Sequence, residues 1–218
     1  QWEAREGRIL LYNPKESCWH FPLGEWPSPE QLRAWCPGTV YDVPPDYPVP
    51  PGIWSDSADP DQFDYLYSNA HLFDSGGERL RKKRNLARQF TAAHPGWRLE
   101  AITPDNLECA AALAARLNSL LPPAEFLGEE NIVMARARDC FFSPELKLEG
   151  VILYAEMDQP AGFSVYSPLS APAADIHFEK ADHAVKGAPQ QLTRELAGRL
   201  APRFPWMNRE QDMGEEGL

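Results

Sequence analysis

Between positions 177 and 186 the chain carries His177, Glu179, Lys180, Asp182, His183 and Lys186. An imidazole and carboxylates this close together can take the proton from an amine as it attacks an ester carbonyl. On a strand, residues two apart share a face, so His177 and Glu179 are expected side by side. His177, Glu179 and Asp182 are therefore the candidate acid–base groups. Glu179, Lys180, Asp182 and Lys186 also read as a solvated ion-pair network at a helix start. A second polar cluster contains Asn208, Arg209, Glu210, Gln211 and Asp212. Arg209 can grip a carboxylate or phosphate through parallel N–H donors, with Glu210 and Asp212 holding a cationic amine. The other reading is a polar turn in which Arg209 and Glu210 pair. A third cluster is basic: six of the ten residues in 79–88 are Lys or Arg, and Arg84 and Asn85 lie within it. Such a run binds the phosphates of tRNA or of lipid head groups, forms a solvated helix face, or braces the protein internally.

These groups need elements to hold them. GRILLY at 7–12 and CWHFP at 18–22 read as a strand pair. Ser28 is placed to cap a short helix over 29–35, with Pro29 at its first position. The densest proline run, PPDYPVPP, reads as an extended connector, and 43–60 is the candidate boundary. FDYLYS at 63–68 follows as a strand or the start of a helix. Leu80, Leu86, Ala87 and Phe90 then share a helical face, and HPG at 94–96 stops that helix. WRLEAIT at 97–103 alternates as a strand does. Asp105 is expected to cap a helix over 106–121, and another covers 128–142 with Ile132, Val133 and Met134 apolar. Apolar runs on either side of MDQP predict a hairpin over 150–169. A strand at 174–180, a helix at 187–200 and a strand at 204–208 complete the chain. The order β-α-α-β-β-β-α-β over 97–208 indicates a mixed α/β sandwich.

The 218 residues and 43% hydrophobic content suffice for one large domain or two small ones. A net charge of −11 disfavours non-specific binding to nucleic acid, DNA included, or to anionic lipid. Cys18, Cys36, Cys109 and Cys140 form no CxxC pair, and no histidine completes a zinc site, so neither metal nor cofactor is expected. Reduced, partly buried thiols suit a cytosolic protein. No GxGxxG or phosphate loop occurs. No apolar run approaches the ~20 residues of a membrane span, and no signal peptide is visible. The expected location is cytoplasmic, with peripheral membrane contact open. The serines show no nucleophile elbow, so direct attack within a ternary complex is expected in place of covalent catalysis.

YLYS at 65–68, RKKRN at 81–85, HFEKAD at 177–182, KGAPQ at 186–190 and NREQDMGEEGL at 208–218 resemble the bacterial family known as DUF2156. That family is similar to the C-terminal domain of phosphatidylglycerol lysyltransferases. The resemblance runs from Tyr65 to Leu218. It implies the acetyltransferase-like (GNAT) fold, an α/β (α+β) architecture with a mixed sheet flanked by helices. It also implies two tandem halves, the first incomplete: 1–60 as the rear of the first half, 61–96 as a connecting basic helix region, and 97–218 as the second half. The family pattern continues past Leu218, and the start at Gln1 reads as a trimmed end. In such a fold the strand before the crossover helix splays from its neighbour, and the helix N-terminus faces the cleft, where it attracts phosphate or carboxylate. Lys186 and Gly187 sit at that turn. With Lys180, Gln190, Arg84, Asn85, Asn208, Arg209, Glu210 and Asp212 they form the expected binding set. The implied reaction is transfer of an aminoacyl group from charged tRNA, or another phosphate-bearing donor, to a lipid head group or small molecule. Two alternatives stay open: a non-catalytic ligand-binding protein on the same cleft, and an acyl-CoA N-acyltransferase. The usual acetyl-CoA signature has two closely spaced glycines, and this chain has only Gly187, which argues against the last.

Overall fold

The computed structural model describes residues 1–44, 46–49, 64–122 and 125–211, with Glu125, Phe126, Leu127, Glu129, Glu210 and Gln211 as backbone only. Most of the 43–60 connector lies outside the described residues. The chain divides into two compact units, Gln1–Asp59 and Pro60–Leu218.

In the first unit β1 (Trp2–Arg5), β2 (Arg8–Asn13) and β3 (Cys18–Leu23) form two successive antiparallel hairpins. Ser28 caps α1 (Pro29–Trp35). Its hydroxyl accepts from the Gln31 N–H, and the Gln31 side chain accepts from the Ser28 N–H at 2.8 Å. This reciprocal box satisfies two donors, and Pro29 sits where an N–H would be unpaired anyway. α1 returns the chain so that β4 (Thr39–Tyr41) lies parallel to β3, giving the order β1-β2-β3-β4. Leu10, Phe21, Leu32, Cys36 and Tyr47 form the core. Burial pushes the Cys36 thiol up to about 11, so it stays protonated. All four cysteines are free. Cys18 and Cys36 are buried, whereas Cys109 and Cys140 are exposed.

The second unit runs β5 (Asp64–Ser68), α2 (Asn69–Asp74), α3 (Arg81–Ala93), β6 (Arg98–Ala101), α4 (Leu107–Ser119), α5 (Glu125–Asp139), β7 (Glu149–Glu156), β8 (Gln159–Ser170), β9 (Ala173–Ala181), α6 (Ala188–Leu200) and β10 (Trp206–Gln211). Its sheet has the order β5-β10-β9-β8-β7-β6, with β9 and β10 parallel and all other neighbours antiparallel. Helices cover both faces. Val151, Leu153 and Ala155 of β7 pack with Phe90 of α3 and Leu192, Leu196 and Leu200 of α6. Ile152 and Tyr154, between them in sequence, pack instead with Ala110, Leu113 and Ala114 of α4 and Phe141. Burial on both faces explains why VILYA is a continuous apolar run. Two mixed sheets flanked by helices make this an α/β (α+β) protein of the GNAT-like kind. The path β7-β8-β9-α6-β10 repeats that of β1-β2-β3-α1-β4: two hairpins, then a helical crossover to a parallel strand. The sequence showed no such repeat.

Three local expectations change. FDYLYS is the strand β5, antiparallel to β10, and the short helix α2 after it was not foreseen. Asn106, not Asp105, stands at the N-cap of α4, with its amide tied back to Thr103 and Ala101. Ile132 and Val133 point outward, 55% and 51% exposed, and only Met134 of that trio reaches the core. The weak apolar stripe of α5 left its buried face ambiguous.

Gly187 fixes how α6 meets α3. Its φ is +83°, and a Cβ there would lie 2.2 Å from the Leu86 carbonyl oxygen and 3.1 Å from Phe90 Cβ. A left-handed backbone costs a side chain about 1–2 kcal/mol before any clash. Gly187→Ala is therefore expected to lower unfolding stability by about 3 kcal/mol or more, adding displacement of the α3 backbone to that strain. Urea denaturation monitored by circular dichroism measures it.

Candidate functional site

The parallel strands β9 and β10 pair only over Ala173–Asp175 and Trp206–Asn208. Beyond that register they part, although β9 runs on to Ala181. Glu179 and Arg209 bridge the gap: Arg209 donates to Glu179 Oε1 at 2.8 Å, and so does the Thr193 hydroxyl of α6, also at 2.8 Å. The Glu179 side chain is 11% exposed. Its second oxygen, Oε2, is buried and has no hydrogen-bond partner among the described residues. A buried carboxylate oxygen left open in this way is costly unless something donates to it.

His177 and Glu179 do not share a face. In β9, Phe178 pairs with Val165 and Ile176 pairs with Tyr166, so His177 is an extra residue on its strand. Such a bulge turns two successive side chains to one side. Ile176 packs with the α6 cluster, and Phe178 packs with the α4 cluster. Past the bulge Glu179 faces α6 through Thr193, whereas Lys180 reaches Glu130 of α5 at 2.9 Å. His177 turns to Ser167, its Nε2 lying 2.8 Å from the hydroxyl, and its Nδ1 is 3.8 Å from Asp175 Oδ2. Sequence reasoning passed over Asp175, two residues before the histidine on its face, and Ser167, which the pairing of β8 with β9 brings beside it.

The turn before α6 differs from a phosphate cradle. Asp182 is buried. Arg116 of α4 donates to it at 2.8 Å, and the Ala184 N–H caps its other oxygen at 2.9 Å. Burial alone would push this carboxyl up; the Arg116 and Ala184 hydrogen bonds, with the charges of Arg116 and His183, outweigh it and hold the group below its ordinary value. Asp182 is thus an anion that fixes the loop, a poor proton acceptor. At the start of α6 the Ala188 N–H is spent on the Val185 carbonyl, Pro189 has no N–H, and the Gln191 N–H bonds Gly187. Few donors remain for an anion. The backbone that approaches Gly187 is Leu86 of α3, not a ligand. Lys186 is exposed and makes no ion pair with any described residue; Gln190 is half-buried beside it.

The basic helix α3 divides its charges. Arg84 donates to the carbonyls of Ser75 and Gly77, closing the loop after α2, which is the internal brace. Asn85 lies with Arg79, Arg81 and Lys82 along an open groove of about 410 Å³. Glu78 pairs with Arg81 there, leaving the groove basic overall. Asn208 donates to Asp64 at 2.7 Å, tying β10 to β5. The Glu210 side chain and Asp212 lie outside the described residues. Among the described residues no cluster of three metal-ligating side chains occurs, and no helix is long and apolar enough to cross a membrane.

No protein-family model matches the chain, and no curated protein matches it. Among solved structures, it is similar to a conserved protein of unknown function from Bacteroides thetaiotaomicron VPI-5482. They share 28% identity and a TM-score of 0.65 over 73% of this chain and 53% of that one. A functionally unknown conserved protein from Staphylococcus epidermidis ATCC 12228 matches at 11% identity and TM-score 0.47, over 71% of this chain and 52% of that one. L-PGS from Bacillus licheniformis matches at 13% identity and TM-score 0.43, over 71% of this chain and 47% of that one. The chain spans about half the length of these structures.

The depressed Asp182 carboxyl has a pH signature. A group held below its unfolded value stabilises the fold above that value, and the contribution is lost as pH falls through the folded value. The stability difference between the wild type and Asp182→Asn is therefore expected to be constant above about pH 5 and to shrink below about pH 4. Thermal melts across pH 3–7 test this, and a difference that grows on acidification contradicts it.

Proposed function

We propose that the Pro60–Leu218 unit transfers an acyl group, carried as an aminoacyl ester on tRNA or on another phosphate-bearing donor, to an amine or hydroxyl acceptor such as a phospholipid head group. The carrying observation is the gap between β9 and β10, spanned by Glu179 and Arg209 with one buried carboxylate oxygen open. That oxygen is suited to accept from an acceptor amine or hydroxyl, and Arg209 is suited to an anionic or developing negative charge. The groove along α3 offers cations for the donor's phosphates. The few free donors at the start of α6 argue against a nucleotide diphosphate held there, and so against acyl-CoA. In this reading the protein works in the cytoplasm and meets the membrane, if at all, from its surface. Residues 1–60 are then the rear part of a first acyltransferase-like half, a reading supported by the recurring strand path.

The test mixes the full chain with tRNA charged with a pool of labelled amino acids, with and without phosphatidylglycerol vesicles. Label is expected in lipid or in a small soluble product. It is expected to fall about a hundredfold in Glu179→Gln, the usual effect of losing a proton-transfer group. Absence of transfer, together with absence of tRNA retention at low salt, overturns the donor assignment.

A further inference from the structure

Ser167, His177 and Asp175 stand in the relation of nucleophile, base and orienting carboxylate. The Ser167 hydroxyl lies 2.8 Å from His177 Nε2. His177 Nδ1 lies 3.8 Å from Asp175 Oδ2, within ion-pair reach. Three features show how the fold assembles the group. Ser167 and Asp175 are direct cross-strand partners of β8 and β9, which fixes the serine beside the carboxylate. His177, two residues on from Asp175, shares its face and is the extra residue of the bulge. Finally, Ser167 sits where β8 leaves its helical cover: residues 161–166 are buried, Ser167 is half-buried, and Pro168, Leu169 and Ser170 are exposed. The serine thus stands at the boundary between the buried and the exposed part of β8. A nucleophile bonded to a base that is itself oriented by a third group defines an activated serine on any fold.

We propose that Ser167 is a nucleophile that takes up an acyl group covalently from an activated ester, with His177 as its base and Asp175 as a positioning residue. Ser167 Oγ attacks the ester carbonyl of the donor while its proton passes to His177 Nε2, and the C–O bond to the donor alcohol breaks as that proton is returned to the departing oxygen. The acyl-serine is then attacked by an amine, hydroxyl or water, whose proton goes to His177 and from there to Ser167 Oγ. No oxidant, reductant or metal is consumed. In this step the imidazole holds its proton on Nδ1, toward Asp175, and Nε2 accepts from Ser167. As the imidazolium forms, the 3.8 Å ion pair is the contact that strengthens. Ser167 lies on the face of the sheet opposite Glu179, so this step is separate from the transfer reading above and does not rest on it.

A substrate-independent reagent separates the two. A fluorophosphonate probe phosphonylates serines activated by a base. The full chain is expected to take up one label, mapped by peptide mass spectrometry to Ser167. Ser167→Ala should abolish it, and His177→Asn should slow it about a hundredfold, with thermal melts unchanged. Asp175→Ala should also slow labelling, and Asp175→Glu should restore part of the rate, which loss of packing alone would not do. A second variant, Ser167→Cys, should be alkylated by iodoacetamide faster than the same variant carrying His177→Asn, with Cys109 and Cys140 as internal references. No label in the wild type, label at another serine, or a rate unaffected by His177→Asn overturns the proposal. Label at Ser167 without any transfer from charged tRNA supports it while removing the aminoacyl donor.

Discussion

One extra residue in β9 governs the chemistry of this protein. Before the bulge the strand alternates as it should, with Ala174 and Ile176 toward α6. After it, Phe178 and Lys180 face α4 and α5, whereas Glu179 faces α6. The bulge thus distributes the polar residues of a single strand over two chambers. On one side Glu179 meets Arg209 and Thr193 in the gap between parallel strands. On the other His177 meets Ser167 and Asp175 near the sheet surface. A regular strand would have kept Glu179 on the face of His177, away from Thr193 and Arg209.

Charge is used in two ways around this frame. Some groups are consumed by the fold. Arg84 closes the loop after α2, Asp182 is held by Arg116, and Lys180 is held by Glu130. Others stay toward solvent, among them Lys186 and the cations along the α3 groove. The division follows geometry: α3 must come within contact of Gly187, so its inner residues are Ala87 and Phe90 and its outer ones carry the charge. Glycine at 187 serves the packing of two helices, and the neighbouring proline removes a backbone donor.

Much of the fold was legible in the residues. The capping serine and proline marked α1, and the apolar runs on either side of MDQP marked the β7–β8 hairpin. What could not be read depends on contacts far apart in the chain. The edge position of β5 depends on β10, over 130 residues later, and the outward turn of Ile132 and Val133 depends on which face of α5 the sheet accepts. The site divides the same way. Arg209 and Glu179 were both singled out, because paired charges near a strand end are visible in sequence, but their bond to each other was not expected. Ser167 carried no signal, since a serine within an apolar strand is ordinary until the cross-strand register sets it beside an imidazole.

The bond from Asn208 to Asp64 spans 144 positions. It closes the antiparallel pair β5–β10, the most distant pairing in the sheet. During synthesis β5 leaves the ribosome long before β10 exists. At about 5–20 residues per second the delay is roughly 7–30 s. The two hairpins β6–β7 and β7–β8 need no such delay, and local contacts form first. The nascent chain therefore carries an unmatched strand until β10 is made, with the cationic helix α3 a short way behind it. Completion of the sheet, with the parting of β9 and β10 that comes with it, waits for β10, so a chain stalled before β10 has its hairpins but not its cleft.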